Sequence, residues 1–217
     1  MLLLHTTPNA PALFLVDDVD GSPEKYRELI TLLAEDWTLI GTTARGLAEP
    51  AACHQTAESE AAALVEAVQM QDPDGPYRLF GYGYGAVLAL AMAHRLRDTG
   101  SRVRYLALTG SRAPSLNGKT DDWMRSLSRA FSRSGKRQLL PDPQASSVEI
   151  SHAKALREFR TRPLSGPCCV IMGTSMARDH EAAWRACAPE AVINRLNCNP
   201  DQMLTRPTVK ILAEILR

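Results

Sequence analysis

Short apolar runs alternate along this chain with longer stretches in which apolar residues recur every three or four positions. Ala12–Asp17 (ALFLVD) is the first such run and predicts a buried strand. Ser22 and Pro23 then supply an N-cap and a residue suited to the first helical position. Tyr26, Leu29, Ile30 and Leu33 follow at the spacing of one helix face. Trp37–Thr42 predicts the next strand, and Thr56 caps a helix to about Gln71 with Ala61, Leu64, Val65 and Val68 on one side. The run Asp72-Pro73-Asp74-Gly75-Pro76 breaks that helix. Tyr77–Tyr82 (YRLFGY) predicts a central strand, Ala86–Arg97 an apolar helix, and Val103–Leu108 an alternating strand. Late in the chain come a strand at Cys168–Met172, a short helix at Glu181–Ala186 and a last strand at Val192–Leu196. Pro207–Leu216 predicts a closing helix with Val209, Leu212, Ala213 and Leu216 inward. Strands alternating with helices in this way predict a mainly parallel sheet covered on both faces.

At 217 residues the chain is expected to form one domain, 1–217, with no internal repeat. The segment from about 115 to 165 departs from the pattern: it is rich in Ser and Arg, holds Pro141 and Pro143, and shows only two helical patches. It reads as a short lid insertion over the sheet's C-terminal edge, where open α/β sheets bind ligands. A net charge of +1 argues against a nucleic-acid binder. The longest apolar stretches, Ala12–Val16 and Ala86–Ala93, fall well short of the roughly 20 residues of a membrane span. Met1–Leu4 is apolar but lacks the charged leader and cleavage site of a signal peptide. Five cysteines without a C-x-x-C read as buried free thiols of a cytoplasmic protein, with no metal site.

Gly81-Tyr82-Gly83-Tyr84-Gly85, between a predicted strand and an apolar helix, has the form of a nucleophile elbow. With Asp74–Tyr82 (DGPYRLFGY) ahead of it, this run resembles the thioesterase domains of nonribosomal peptide and polyketide synthases. Three more collinear segments carry the resemblance: Ala12–Val16 with Gly21-Ser22 and Tyr26–Leu29; Leu39–Leu47 (LIGTTARGL); and Pro163–Pro167. The resemblance implies an α/β-hydrolase fold with a Ser/His/Asp triad. Serine acyl transfer needs a hydroxyl on the elbow, an imidazole to take its proton and a carboxylate to orient that imidazole. At the three corresponding positions this chain has Gly83, Gly110 and Pro200. A carboxylate placed after the late strand instead is absent from Gly173-Thr174-Ser175-Met176, and Asp179 lies three residues on. Gly83 alone would fit an engineered knockout of the nucleophile; three positions without their side chains do not. The family's His-Pro-x-Gly-Gly run, which lends an amide to the oxyanion, is replaced by Asp17-Asp18-Val19-Asp20-Gly21. Carboxylates there are expected to repel an oxyanion, although Asp18 and Asp20 also read as caps of the following helix.

The resemblance implies a pseudo-thioesterase of a peptide or polyketide pathway, a binding or scaffolding module rather than a serine hydrolase. Its expected partners are an acyl or peptidyl carrier protein and the tethered intermediate. No cofactor is expected beyond the phosphopantetheine arm of that carrier. Arg125, Arg129 and Arg133 recur at helical spacing in the insertion, with Lys136 and Arg137 beyond, and form a candidate carrier dock beside the plainer reading of a solvated face. Val19, Tyr82 and Tyr84 are expected to line the pocket, the two tyrosines pointing away from the elbow. The alternative is a triad-independent cyclase, dehydratase or isomerase with Asp17 or Asp18 as acid/base, its pKa raised by burial and crowding. Cys198 lacks an activating base in its loop, and His180 reads as a surface residue.

Overall fold

The computed structural model describes residues 1–21, 23–44, 53–54, 56–116, 146–174 and 178–217. Among them, one sheet is built from β1 (Leu2–His5), β2 (Ala12–Val16), β3 (Thr38–Gly41), β4 (Tyr77–Tyr82), β5 (Val103–Thr109), β6 (Cys168–Gly173) and β7 (Ala191–Leu196). Their spatial order is β1-β3-β2-β4-β5-β6-β7. All neighbouring pairs are parallel except β1 with β3. β1 corrects the sequence reading, which gave Leu2–His5 no strand: three consecutive leucines show no alternation, and only pairing with β3 makes them one.

Strand side chains alternate between two cores, as a period of two requires. Leu13, Leu15 and Phe80 pack with Leu29 and Leu33 of α1 (Arg27–Leu33) and with Val209 and Leu212 of α6 (Thr208–Leu216). Phe14, Val16 and Leu79 face the other way, against Leu64 and Val65 of α2 (Ala57–Gln71) and Leu88 and Met92 of α3 (Tyr84–Asp98). Every residue of α3 from Tyr84 to Ala93 is buried, because β4 and β5 lie on one side and α2 on the other. Its lack of an amphipathic stripe follows from that position. Thr56 caps α2 through its side chain, which accepts from the Ser59 amide.

The predicted helix after Pro23 begins as a 3-10 turn at Pro23–Tyr26 before becoming α1. Within the predicted insertion, Ser147–Glu158 forms α4, closed at its N-terminus by a reciprocal capping box between Ser146 and Glu149. α5 (Arg178–Cys187) precedes β7, and a 3-10 turn at Pro200–Gln202 follows it. The basic residues Arg125, Arg129, Arg133, Lys136 and Arg137 lie outside the described residues.

None of the five cysteines is in a disulfide among the described residues; Cys168 and Cys187 are buried, whereas Cys53, Cys169 and Cys198 are only half-buried. No helix of the described residues is long and apolar enough to cross a membrane. In register, Gly81 pairs with Val16 on one side and Leu108 on the other. β2, β4 and β5 therefore end level, and Asp17, Asp18, Gly83 and Gly110 come to one edge of the sheet.

Candidate functional site

β4 ends at Tyr82 and α3 begins at Tyr84, so Gly83 alone makes the turn between them, at φ 60° and ψ −122°. Side chains rarely adopt such a positive φ, and glycine carries no penalty there. Its amide donates to the Thr109 carbonyl at 2.9 Å, which ties the turn to the end of β5. The turn has the elbow form predicted for it.

The space beside Gly83 is taken. A Cβ built on Gly83 would lie 2.3 Å from Oδ1 of Asp18. That same oxygen accepts the backbone N–H of Tyr84 at 2.9 Å. Asp18 thus holds the first amide of α3, the donor that in an elbow of this form would face a developing oxyanion. Its other oxygen, Oδ2, accepts from Lys25 Nζ at 2.6 Å, and Lys25 also pairs with Asp20 at 3.2 Å. Burial works against the Lys25 ammonium, but Asp18 and Asp20 outweigh it and hold its pKa above the ordinary value. The expectation that these carboxylates would repel an oxyanion thus takes a specific form: one of them sits on the donor itself. The N-cap of α1, Tyr26, makes no side-chain cap bond, and Asp18 is engaged by the Tyr84 amide and Lys25.

Gly110 and Pro200 are brought close by Tyr82. A Cβ on Gly110 would fall 2.4 Å from Cε2 of the Tyr82 ring, and the Tyr82 hydroxyl donates to the Pro200 carbonyl at 3.1 Å. This corrects the expectation that Tyr82 points away from the site: its ring spans the two positions, because a residue at the end of β4 faces the α1/α6 side, where Pro200 also lies. Burial pushes the Tyr82 phenol well above its ordinary pKa, with Asp18 adding to the effect. Tyr84 does point away, as expected. Its hydroxyl donates to Glu60 Oε2 at 2.8 Å, and its ring stacks on His152 with centroids 4.4 Å apart.

Behind the elbow stands a second group that sequence patterning did not single out. Asp17, Glu60 and His152 are buried, and each offers a ligand atom within 4.8 Å of the others. Asp17 binds Thr42 twice: its amide donates to the Thr42 hydroxyl at 2.7 Å, and that hydroxyl donates to Oδ1. Burial pushes the Asp17 carboxyl up to about 6; the Thr42 hydrogen bond opposes this and the Glu60 charge adds to it. The pairing of burial with like-charge crowding foreseen for an acid/base candidate is found at Asp17, whereas Asp18 is ion-paired. His152 Nδ1 lies 3.0 Å from the Val19 carbonyl and Nε2 lies 3.1 Å from Glu60 Oε1. Burial disfavours the imidazolium, but Glu60 outweighs it and raises the His152 pKa. Val19 therefore meets this cluster through its backbone. One trace of the cluster was legible: Glu60 shares the buried side of α2 with Ala57, Ala61 and Leu64, and His152 lies between Val148 and Ala155. A polar residue on an apolar stripe asks for a buried partner.

Burial raises the Cys198 thiol further, with Thr208 opposing. His180 is half-buried rather than solvated. Two clefts, of about 460 and 510 Å³, lie away from the elbow: one among Ala10, Thr38, Gly75 and Arg78 at the opposite strand ends, the other between α2, α3 and Phe159–Arg162.

Enterobactin synthase component F of Escherichia coli (strain K12) is 24% identical over 96% of this chain, which spans 17% of that protein. The non-reducing polyketide synthase atnG of Arthrinium sp is 36% identical over 48% of this chain, which spans 5% of it. In three dimensions, the NocB thioesterase domain in covalent complex with a fluorophosphonate nocardicin G analog superposes with a TM-score of 0.79 at 23% identity, covering 97% of this chain and 95% of that one. The family model described as "Thioesterase domain" matches residues 11–197. From a sheet that ends level around a Gly83 elbow and a family match over most of its length, this chain belongs to the thioesterase-domain family.

Proposed function

We propose that this chain is a non-hydrolytic member of its family, a binding or scaffolding module for a carrier protein or its tethered intermediate in a nonribosomal peptide or polyketide pathway. The observation that carries the proposal is the Asp18 carboxylate, seated on the Tyr84 amide and filling the space a side chain at position 83 would need. An acyl-transfer site must keep its oxyanion donors free for charge that develops in the transition state. Here a resident anion, held from behind by Lys25, takes that donor in the ground state. Gly83, Gly110 and Pro200 supply no nucleophile, carboxylate or imidazole, and the Tyr82 ring occupies the path between the last two. The partner would be an acyl or peptidyl carrier protein in the cytoplasm, its phosphopantetheine arm the only prosthetic group involved. Relatives that include a nonribosomal peptide synthase and a polyketide synthase support that context.

The test is incubation with a carrier protein loaded with an acyl- or peptidyl-phosphopantetheine thioester, followed by intact-mass measurement over time. A complex whose carrier keeps its full loaded mass is expected. Release of the acyl group above the rate of carrier alone overturns the proposal.

A second function is favoured by one observation, the buried Asp17 carboxyl raised to about 6 beside Glu60 and His152. In a triad-independent cyclase, dehydratase or isomerase, Asp17 would move a proton. The same assay separates the two: loss of water, or a retention shift at constant mass, identifies turnover. Asp17→Asn would then abolish it while leaving the melting temperature nearly intact.

A further inference from the structure

The buried cluster behind the elbow has a geometry that a proton alone leaves incomplete. Asp17 stands just past β2, Glu60 in the first turn of α2 and His152 in the middle of α4, and they are 0%, 2% and 3% exposed. Each has one atom held by a neighbour. The Thr42 hydroxyl binds Asp17 Oδ1, the Tyr84 hydroxyl binds Glu60 Oε2, and the Val19 carbonyl takes His152 Nδ1. A carbonyl only accepts, so Nδ1 carries a proton. Glu60 Oε1 and His152 Nε2 face each other at 3.1 Å, and one ligand atom of each of the three residues, a carboxylate oxygen of Asp17 among them, lies within 4.8 Å of the other two. Asp17 Oδ2 is fully buried and has no hydrogen-bond partner among the described residues.

An orphaned carboxylate oxygen in the interior is costly, and a second carboxylate beside it makes the cost larger. A proton on His152 Nε2 serves Glu60 but leaves Asp17 Oδ2 without a partner. A dication among the three atoms satisfies all of them at once and offsets both negative charges. The outer contacts also match what metal ligands need. A ligating imidazole donates its other N–H to a carbonyl or carboxylate, and ligating carboxylates are themselves hydrogen-bonded. The 3.1 Å between Glu60 Oε1 and His152 Nε2 fits two donors each about 2.0–2.2 Å from one ion. We propose that Asp17, Glu60 and His152 bind a divalent transition-metal ion, which clamps α4 and α2 to the end of β2. One imidazole and two carboxylates suit zinc or manganese better than magnesium, which favours oxygen donors and retains its waters. The expectation of no metal site rested on cysteine spacing and the absence of a ligand motif. Three ligands at 17, 60 and 152 leave no spacing to recognise.

The test uses the full chain, stripped with a chelator and titrated separately with Zn²⁺, Mn²⁺ and Mg²⁺. Bound metal is measured by plasma mass spectrometry and stability by thermal melting. One zinc or manganese ion per chain, with a raised melting temperature, is expected, and Mg²⁺ should do neither. Glu60→Gln and His152→Gln should each weaken binding by roughly tenfold or more. Failure of the wild-type chain to take up a stoichiometric ion overturns the proposal, as does unchanged affinity in both variants. Should either variant fail to fold, Co²⁺ bound to the wild-type chain decides the matter. Visible d–d bands without a thiolate charge-transfer band support the site, and an intense thiolate band assigns the ion to cysteine and overturns it. The result is independent of hydrolysis and of carrier binding.

Discussion

At the scale of single residues, Gly83 and Asp18 form one unit. A serine at 83 would carry a Cβ 2.3 Å from Asp18 Oδ1 at a φ of 60°. Backbone strain of this kind costs on the order of 1–3 kcal/mol. At roughly 2–4 °C per kcal/mol for a domain of this size, Gly83→Ser should melt about 5 °C lower. It should also stay unlabelled by a fluorophosphonate probe. Triad members act together, and losing the base alone costs on the order of 10⁶ in kcat. Asp18→Ala added to Gly83→Ser should recover part of the melting temperature and none of the activity. Rapid labelling of the single variant would reveal a base and remove the ground for a non-hydrolytic role. Tyr82 forms a second such unit with Gly110 and Pro200. Tyr82→Phe loses the bond to the Pro200 carbonyl, about 1 kcal/mol, and should lower the melting temperature by about 2–4 °C. An unchanged melt would show that the hydroxyl does not hold the Pro200 turn. Because the Tyr82 ring lies where a Gly110 side chain would begin, Gly110→Asp should destabilise unless residue 82 is made smaller in the same chain.

At the scale of elements, α4 deserves comparison with α3. α3 is held on two sides by sheet and helix, and its buried alanines and leucines fix it although its own N-cap, Gly83, has no side chain and its first amide is held by Asp18 from outside the helix. α4 buries only Val148, His152 and Ala155, so its ends matter more. Its Ser146–Glu149 capping box satisfies two backbone donors that would otherwise be orphaned. Ser146→Ala should cost about 1 kcal/mol and lower the melting temperature by about 2–4 °C. Hydrogen exchange should rise first in the amides of the opening turn of α4. Exchange unchanged there, with the loss spread over the whole chain, would show that α4 is held by packing alone.

For the whole molecule, charge is nearly balanced, at +1, so any steering of an acidic partner must come from local clustering. Arg125, Arg129 and Arg133, four positions apart in the sequence, are proposed as such a cluster. Reversing the three to Glu should weaken carrier-protein binding and abolish its dependence on salt, because charge-complementary association is screened by added ions. Calorimetry at low salt is the measurement, and an affinity equal to that of the wild-type chain would return the stripe to a solvated surface.

Local chemistry decided much of this protein. A continuous apolar run placed β2, the break at Asp72–Pro76 set off β4, alternation placed β5, the Thr56 cap and the stripe from Ala61 to Val68 placed α2, and the glycine run placed the elbow at Gly83, because such preferences act between residues close in the chain. The identities at 83, 110 and 200 were equally legible, since a missing side chain needs no fold to be seen. β1 was not legible, because an edge strand of consecutive leucines is defined by its partner β3 and not by its own pattern. The sequence placed acids at 17, 18 and 20 near the elbow. Only the tertiary structure sent Asp18 to the Tyr84 amide and Asp17 to Thr42 and the Glu60–His152 pair. Neighbouring residues at a strand end turn to different surroundings, and the groups that meet them lie up to 135 positions away in the chain (17 to 152). Contacts between residues so distant are set by how the elements pack, and no local pattern records them.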